Sequence, residues 1–433
     1  MDGADPASSH RSGSGRPHPY HAAMPHRHAA VPVPERVADM LDAALDAASG
    51  LALYLVGGAI RDLLRGDPGI TDVDLAVDGD AAPVARRLAR GLGSPARVTV
   101  HAAFGTSTVR WEDMRVDIAR TRSESYARPG SLPAVEPAGI EADLLRRDFT
   151  VNSMALRLGN GDSLLDPAGG RGDLERRVIR VLHRASFRDD PTRVFRAVRY
   201  AARLGFELDP ETDELAREAL RKGLVGHLSG SRVRAELLAL LGEATAPAAV
   251  GRLGAIGACR AVWPGLDCDP ETQALLERVE LLRQRYSART PAWRCALVVL
   301  ARGLPDADLP VFAQRLVLRK RDAATLRGAV GVPVPADDAG PAAVADVFAA
   351  RPVEAALLAA GVGSSAATTY LDHLRGVQLS IDGGVLRDEL GLEESPRVGE
   401  VLRELLRRKR NGELETRAAE LAAARELVDG AGL

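Results

Sequence analysis

The sequence predicts an α+β protein whose first part mixes strands and helices and whose remainder is helical. Three observations carry this expectation. An apolar run of strand length, Leu51 to Val56, is cut off by Gly57-Gly58. Further strand patterns follow over Asp72–Val77, Arg97–Val100, Thr106–Trp111 and Met114–Ile118, with a helical pattern over Ala81–Leu92 between them. From about residue 246 onward the chain is Ala- and Leu-rich at helical spacing and is punctuated by Pro and Gly.

Residues 1–34 are rich in Ser, Gly, Pro and His and carry no hydrophobic period, so a disordered tail is expected there. Five of the nine histidines fall in it, and Met24 offers an alternative start. From Glu35 an amphipathic pattern through Val37, Met40, Leu41, Ala44 and Leu45 predicts a helix leading into the first strand.

The Gly57-Gly58 pair between a strand and a helix removes side chains where a phosphate can approach backbone N–H groups, and Arg61 lies one turn on. Asp72 and Asp74 alternate along the next strand, so both point to one face. Two such carboxylates repel as bare ions, and a divalent cation beside them resolves the conflict. The stretch from Tyr54 to Ala76 therefore reads as a metal and nucleotide site, with glycine amides and Arg61 on the triphosphate and the carboxylates on Mg²⁺. Asp117, on the strand ending at Ile118, is either a third carboxylate of that site or an ordinary exposed strand residue.

Residues 122–140 carry three prolines and little periodicity, which predicts a loop of the kind that acts as a lid. Further on, Pro191 opens a helix that Asp189 or Asp190 can cap. On it Asp190, Arg193, Arg196, Arg199 and Arg203 form one stripe, opposite Val194, Ala197, Val198 and Ala201. Four arginines on one face repel unless they meet anions. Helices are also expected over Pro210–Leu220 and Ser231–Leu241.

These segments together resemble the class II tRNA nucleotidyltransferase and bacterial poly(A) polymerase family of the DNA polymerase β superfamily. Tyr54–Ala76 is similar to its active-site signature, Arg146-Arg147-Asp148-Phe149-Thr150-Val151-Asn152 to its RRDFTxNxxA motif, and Asp189–Arg193 to its EDxxR motif with Asp at the first position. The resemblance is strong over residues 36–245 and loose beyond, where Val385–Leu405 resembles the tail element. It implies a polymerase-β-like head (35–160), a helical neck carrying the nucleotide-selecting helix (161–245), and a helical body and tail that bind tRNA (246–433). It further implies addition of C and A residues to the tRNA 3′ end from CTP and ATP, on a two-metal Mg²⁺ site held by Asp72 and Asp74.

By the same resemblance Arg147 would contact nucleotide phosphate, and Asp148 and Asn152 would brace the backbone. Asp190 and Arg193 would be an amino-acid template: a carboxylate accepts from the exocyclic amino group of cytosine or adenine, and a guanidinium donates to a ring nitrogen or carbonyl. Arg196 and Arg199 would hold phosphates or the base edge, and Arg232 and Glu236 would organise the template helix. The family's loop before RRDFT is thought to help the change from C to A addition. Within the family, CC-only or A-only addition remains open. Poly(A) polymerase is disfavoured because no extra basic strand motif lies between the aspartates and RRDFT. The intact motifs argue against a non-catalytic RNA-binding relative, and the long helical half against modification of a small molecule or protein.

A chain of 433 residues with 46% apolar and 27% charged residues is ordinary for a globular protein and long enough for roughly two to four domains. The net charge of −2 does not itself indicate nucleic acid, but a local basic patch is compatible with it. Arg315–Arg321 and Arg403–Arg410 are basic clusters placed on expected helices and suited to an RNA backbone. No His-Asp pair at metal spacing suggests an appended phosphohydrolase. Cys259, Cys268 and Cys295 show no zinc spacing and suggest a reducing compartment. With no membrane-length apolar run and no apolar signal core, a cytoplasmic protein without an obligate protein partner is expected.

Overall fold

The computed structural model describes residues 31–429 apart from 68, 103–104, 160–162, 267 and 337. Residues 1–30, most of the tail expected to be disordered, lie outside the described residues. The chain falls into two units: one runs to Thr121 and resumes over Met154–Asp166, and the other takes Arg122–Ser153 and everything from Pro167. This is the expected α+β class, a sheet followed by helices.

The first unit is built on one sheet. Helix α1 (Glu35–Ala48) buries Val37, Met40, Leu41 and Ala44 on one face, the stripe expected from spacing. Strand β1 (Leu53–Val56) is buried throughout, as its unbroken apolar run requires. Then come α2 (Gly58–Leu64), β2 (Asp72–Val77), α3 (Ala81–Leu92, capped by Asp80 accepting from Ala82 N–H), β3 (Arg97–His101), β4 (Thr106–Trp111) and β5 (Met114–Arg120). Here α1 packs on α3, and α3 covers β4 and β5.

The chain then passes to the second unit through β6 (Arg122–Ser125), β7 (Ala134–Pro137), α4 (Ile140–Leu145) and a 3₁₀ turn over Thr150–Asn152, and returns for β8 (Ala155–Arg157) and β9 (Leu164–Leu165). The seven-stranded order is β3-β4-β5-β2-β1-β8-β9, antiparallel except for the β2–β5 pair. That one parallel pair places Asp74 level with Asp117.

One expectation is corrected. Residues 122–140 are not a plain loop, because β6 and β7 pair as an antiparallel hairpin. Both strands lie near the surface, so no burial pattern of alternating apolar residues marked them.

The second unit continues with α5 (Gly170–Arg176), β10 (Val178–Ile179), α6 (Ser186–Asp189), α7 (Thr192–Leu204), β11 (Glu207–Leu208), α8 (Pro210–Arg221) and α9 (Gly230–Leu241). Beyond α9 it is helical. Near the end, three helices over Gly383–Leu390, Pro396–Arg410 and Arg417–Asp429 enclose a small core of their own around Leu386, Val401, Leu405 and Ala424.

Two further expectations change. The basic cluster at 403–410 is largely engaged by the protein: Arg407 pairs with Asp346, Arg408 with Glu404 and Glu426, and Lys409 with the buried Glu420. The cluster at 315–321 spans the end of one helix at Arg315, a turn with Val317 at φ 50°, and the start of the next at Lys320, and Arg319, Lys320 and Arg321 are exposed. Cys259 and Cys268 are joined in a disulfide, so the inference of a reducing compartment from unpaired cysteines has no support here. Cys295 is a buried free thiol, pushed up to about 12 by burial and then by the charge of Glu354. No helix among the described residues is long and apolar enough to cross a membrane.

The turn at Asp148 fastens α7 to the rest of its unit. Asp148 Oδ1 accepts from the Phe149 N–H and from Asn152, while Oδ2 accepts from Nε and Nη2 of Arg196 at 2.9 and 2.6 Å. Burial alone would raise its carboxyl, but the Arg196 charge and these hydrogen bonds hold it below the usual carboxylate range. A depressed folded value stabilises the fold at pH above the unfolded value, near 3.9 (about), and the contribution disappears as pH falls through the folded value. Asp148→Asn, which removes the nearer of Arg196's two charge partners, should cost on the order of 3 kcal/mol at neutral pH. It should also flatten the acid limb of the stability profile. Denaturant titrations of both proteins from pH 7 down to pH 3 (about) check this, and equal acid limbs would rule it out.

Candidate active site

One group of candidate site residues lies on the sheet unit. Gly57 closes β1 with φ 72° and ψ −137°, a conformation that excludes side chains, and its N–H donates to the Met154 carbonyl. Helix α2 starts at Gly58, where an added Cβ would lie 3.3 Å from Nη2 of Arg61. Arg61 is only 2% exposed, and its Nε and Nη2 donate to the two carboxylate oxygens of Asp62 at 2.9 and 2.8 Å. The guanidinium expected to reach a triphosphate is thus folded under the glycine turn and held bidentately by its neighbour.

On β2, Asp72 and Asp74 are exposed and alternate with buried Val73 and Leu75. Their side chains share one face, as the two-residue period requires. Asp117, level with Asp74 on β5, faces the same way; its Oδ1 accepts from Thr108 at 2.5 Å and its Oδ2 pairs with Arg115 at 2.7 Å. Among the described residues no group of three or more His, Cys, Asp or Glu side chains is placed to hold a metal ion. The donor chemistry of Asp72 and Asp74, two exposed hard oxygen groups on one face, fits a divalent cation such as Mg²⁺.

A separate group of candidate residues lies on the helical unit. Pro191 and Thr192 start α7, and Asp190 stands just ahead of it. Asp190 Oδ1 accepts three hydrogen bonds: from the Thr192 N–H at 3.0 Å, from Thr192 Oγ1 at 2.6 Å and from Arg232 Nη2 at 2.7 Å. All its bonds among the described residues converge on that oxygen, which leaves Oδ2 to accept from something else. Arg193, 5% exposed, donates from Nη1 to Ser186 Oγ and from Nη2 to the Arg146 carbonyl, at 2.7 and 2.8 Å.

The rest of the arginine stripe meets the protein's own carboxylates. Arg196 is on Asp148 and lies 3.6 Å from Glu236, and Arg199 lies 3.7 Å from both Glu236 and Glu243. Both guanidinium groups also stand 5.4 Å from the centre of the Tyr200 ring. Anions were required by the stripe, but for Arg196 and Arg199 they come from within the chain, so these two act on α7 itself rather than standing open to phosphate. Arg203 is exposed.

Arg147 donates from Nη2 to Asp143 at 2.8 Å, while its buried Nε has no hydrogen-bond partner among the described residues. Asp143 takes Arg146 as well; burial would raise its carboxyl, but the charges of Arg147 and Arg146 hold it below the usual range. Sequence reasoning passed over Asp143, although its spacing of three and four residues from the two arginines on a short helix was a legible signal. It also passed over Thr192 and Ser186, whose roles depend on hydroxyl contacts that no spacing shows.

Comparison with known proteins fits these observations. Residues 53–180 match the family described as the poly A polymerase head domain. The A-adding tRNA nucleotidyltransferase of Geobacter sulfurreducens is 34% identical over 88% of this chain and 46% of its own length. The CC-adding tRNA nucleotidyltransferase of Deinococcus radiodurans is 37% identical over 64% of this chain and 70% of its own. The solved structure of the Thermotoga maritima CCA-adding enzyme complexed with tRNA aligns with a TM-score of 0.72 at 25% identity, covering 92% of this chain and 96% of that one. The chain spans less than half the length of the A-adding relatives it matches. On the identity to the Deinococcus protein, over more than two thirds of that protein's length, this chain belongs to the tRNA nucleotidyltransferase and poly(A) polymerase family.

Proposed function

We propose that the chain is a template-independent tRNA nucleotidyltransferase that adds C and A residues to the tRNA 3′ end from CTP and ATP, releasing pyrophosphate. The observation that carries this reading is the preparation of Asp190: with Oδ1 saturated by Thr192 and Arg232, the carboxylate presents Oδ2 alone, beside the donor Arg193. Oδ2 accepts from the exocyclic amino group of cytosine or adenine, and Arg193 donates to a ring nitrogen or carbonyl. Guanine and uracil present a carbonyl at the amino position, and two acceptors facing each other repel. The protein therefore selects the two bases of the CCA end without a nucleic-acid template.

In the reaction the terminal hydroxyl of the RNA attacks the α-phosphate of the nucleotide, and the bond to the pyrophosphate breaks. Asp72 and Asp74 would hold Mg²⁺, and the Gly57-Gly58 turn gives the phosphates room at the backbone. When bound, the cation supplies positive charge that eases deprotonation of the attacking hydroxyl and offsets the charge on the departing pyrophosphate. Arg147 is the guanidinium of its segment suited to a phosphate, whereas Arg61, Arg196 and Arg199 shape the turn and the helix that present the nucleotide. Residues 35–160 carry the chemistry and 161–245 the choice of base. Residues 246–433 meet the tRNA, where Arg319, Lys320 and Arg321 are exposed and suit its backbone.

A second reading, addition of the terminal A alone, is favoured by the match to the A-adding Geobacter protein over 88% of this chain. The two are separated by incubating the protein with Mg²⁺ and tRNAs ending at the discriminator base, at C or at CC, with CTP, ATP or both. Growth of all three to CCA supports the full activity, extension of the CC substrate only means A addition, and a halt at CC means C addition. No growth of any substrate contradicts the function. Asp72→Ala should reduce turnover by 10³-fold or more (roughly) with an unchanged melting temperature. A variant that keeps most of its activity would remove the metal site from Asp72.

A further inference from the structure

Hydrogen bonds along the edge of a base fix it within its plane but do little to hold it perpendicular to that plane. A site that reads an edge with Asp190 and Arg193 therefore gains from a flat apolar surface beside the pair. Most aromatic rings around α7 are unsuited. Phe149, Phe187 and Phe195 are buried, and Tyr200 is flanked by the Arg196 and Arg199 guanidinium groups.

Tyr126 is different. It is half-buried and is the first residue after β6, in the loop that leads to β7. Its hydroxyl donates to Glu124 Oε2 at 3.0 Å; Glu124 Oε1 accepts from Arg146 at 2.7 Å; and the Arg146 carbonyl accepts from Arg193. The same loop is tied to Asp190 further along. The Gly130 N–H donates to the Asp189 carbonyl, and Arg232 bridges the Gly130 carbonyl and Asp190 Oδ1, each at 2.7 Å. The loop is thus fastened at one point to Arg193 and at another to Asp190, with Tyr126 at its start. The phenol senses both groups: it is pushed up to about 12 by burial first and by Glu124, with Arg193 lowering it and Asp190 raising it.

We propose that Tyr126 is a positioning residue for the incoming nucleotide, its ring forming the platform on which cytosine or adenine stacks while Asp190 and Arg193 read the base edge. This rests on the base-selecting role proposed above for that pair. Every base has a π face, so the platform serves both nucleotides alike and leaves discrimination to the pair. The hydroxyl bond to Glu124 sets the ring's orientation, and the ring supplies the contact.

Binding of CTP and of ATP in Mg²⁺, measured by titration calorimetry without RNA, tests this on the full chain. Tyr126→Phe keeps the ring and should hold both affinities within about twofold, whereas Tyr126→Leu, similar in bulk but without a π face, should weaken both by roughly tenfold. Should the leucine variant not fold, Tyr126→Trp decides the matter, because retained affinities support the platform and lost affinities overturn it. The proposal is overturned if the leucine variant binds as the wild type, if phenylalanine loses as much as leucine, or if only one nucleotide is affected. A protein that binds both nucleotides in the expected pattern but extends no tRNA would contradict the proposed function and leave the platform standing. Failure of the wild type to bind either nucleotide would contradict both.

Discussion

The constraint on which the neck of this protein depends is the neutralisation of the arginine stripe on α7. Guanidinium groups recurring on one helical face cannot be packed against protein without counter-charges, and the chain supplies Asp148, Glu236 and Glu243. Asp148 does most. Buried and bonded on both oxygens, it joins the turn over Thr150–Asn152 to Arg196. That join fixes the start of α7, and with it Asp190 and Arg193. The pair can be rigid because Arg196, one turn on, is held by Asp148.

The sheet unit solves a different problem. Two carboxylates must be kept exposed and on one face, so the strand that bears them needs a firm register. The parallel β2–β5 pair and the buried residues between the carboxylates supply it. Asp117 sits level with Asp74 in that register and accepts from Thr108 and Arg115. The Gly57 turn is a second fixed point: its backbone conformation excludes a side chain, and the buried Arg61–Asp62 pair supports it from beneath.

Local features were legible in the sequence. Alternation placed Asp72 and Asp74 on one face, the abrupt Gly-Gly break located the strand-to-helix turn, and the three- and four-residue spacing gave the stripe of α7. Partners far apart along the chain were not legible. Arg196 finds Asp148 across 48 positions and Arg232 finds Asp190 across 42, and neither spacing has a periodic signature. The β6–β7 hairpin escaped notice because exposed strands show no apolar alternation. The burial of Arg61 escaped because a guanidinium after two glycines looks the same in sequence whether it faces outward or folds under them.

The central claim is that Thr192 and Arg232 saturate one oxygen of Asp190 and so dictate what the other presents to a base. Asp190→Asn tests it directly. The Thr192 N–H and Arg232 can only donate, so the amide oxygen must take the Oδ1 position and the amide nitrogen, a donor, must take that of Oδ2. The ratio of CTP to UTP incorporation in kcat/KM should then fall by tenfold or more (roughly), the scale of one reversed hydrogen bond. A variant that discriminates CTP from UTP as sharply as the wild type would contradict the account.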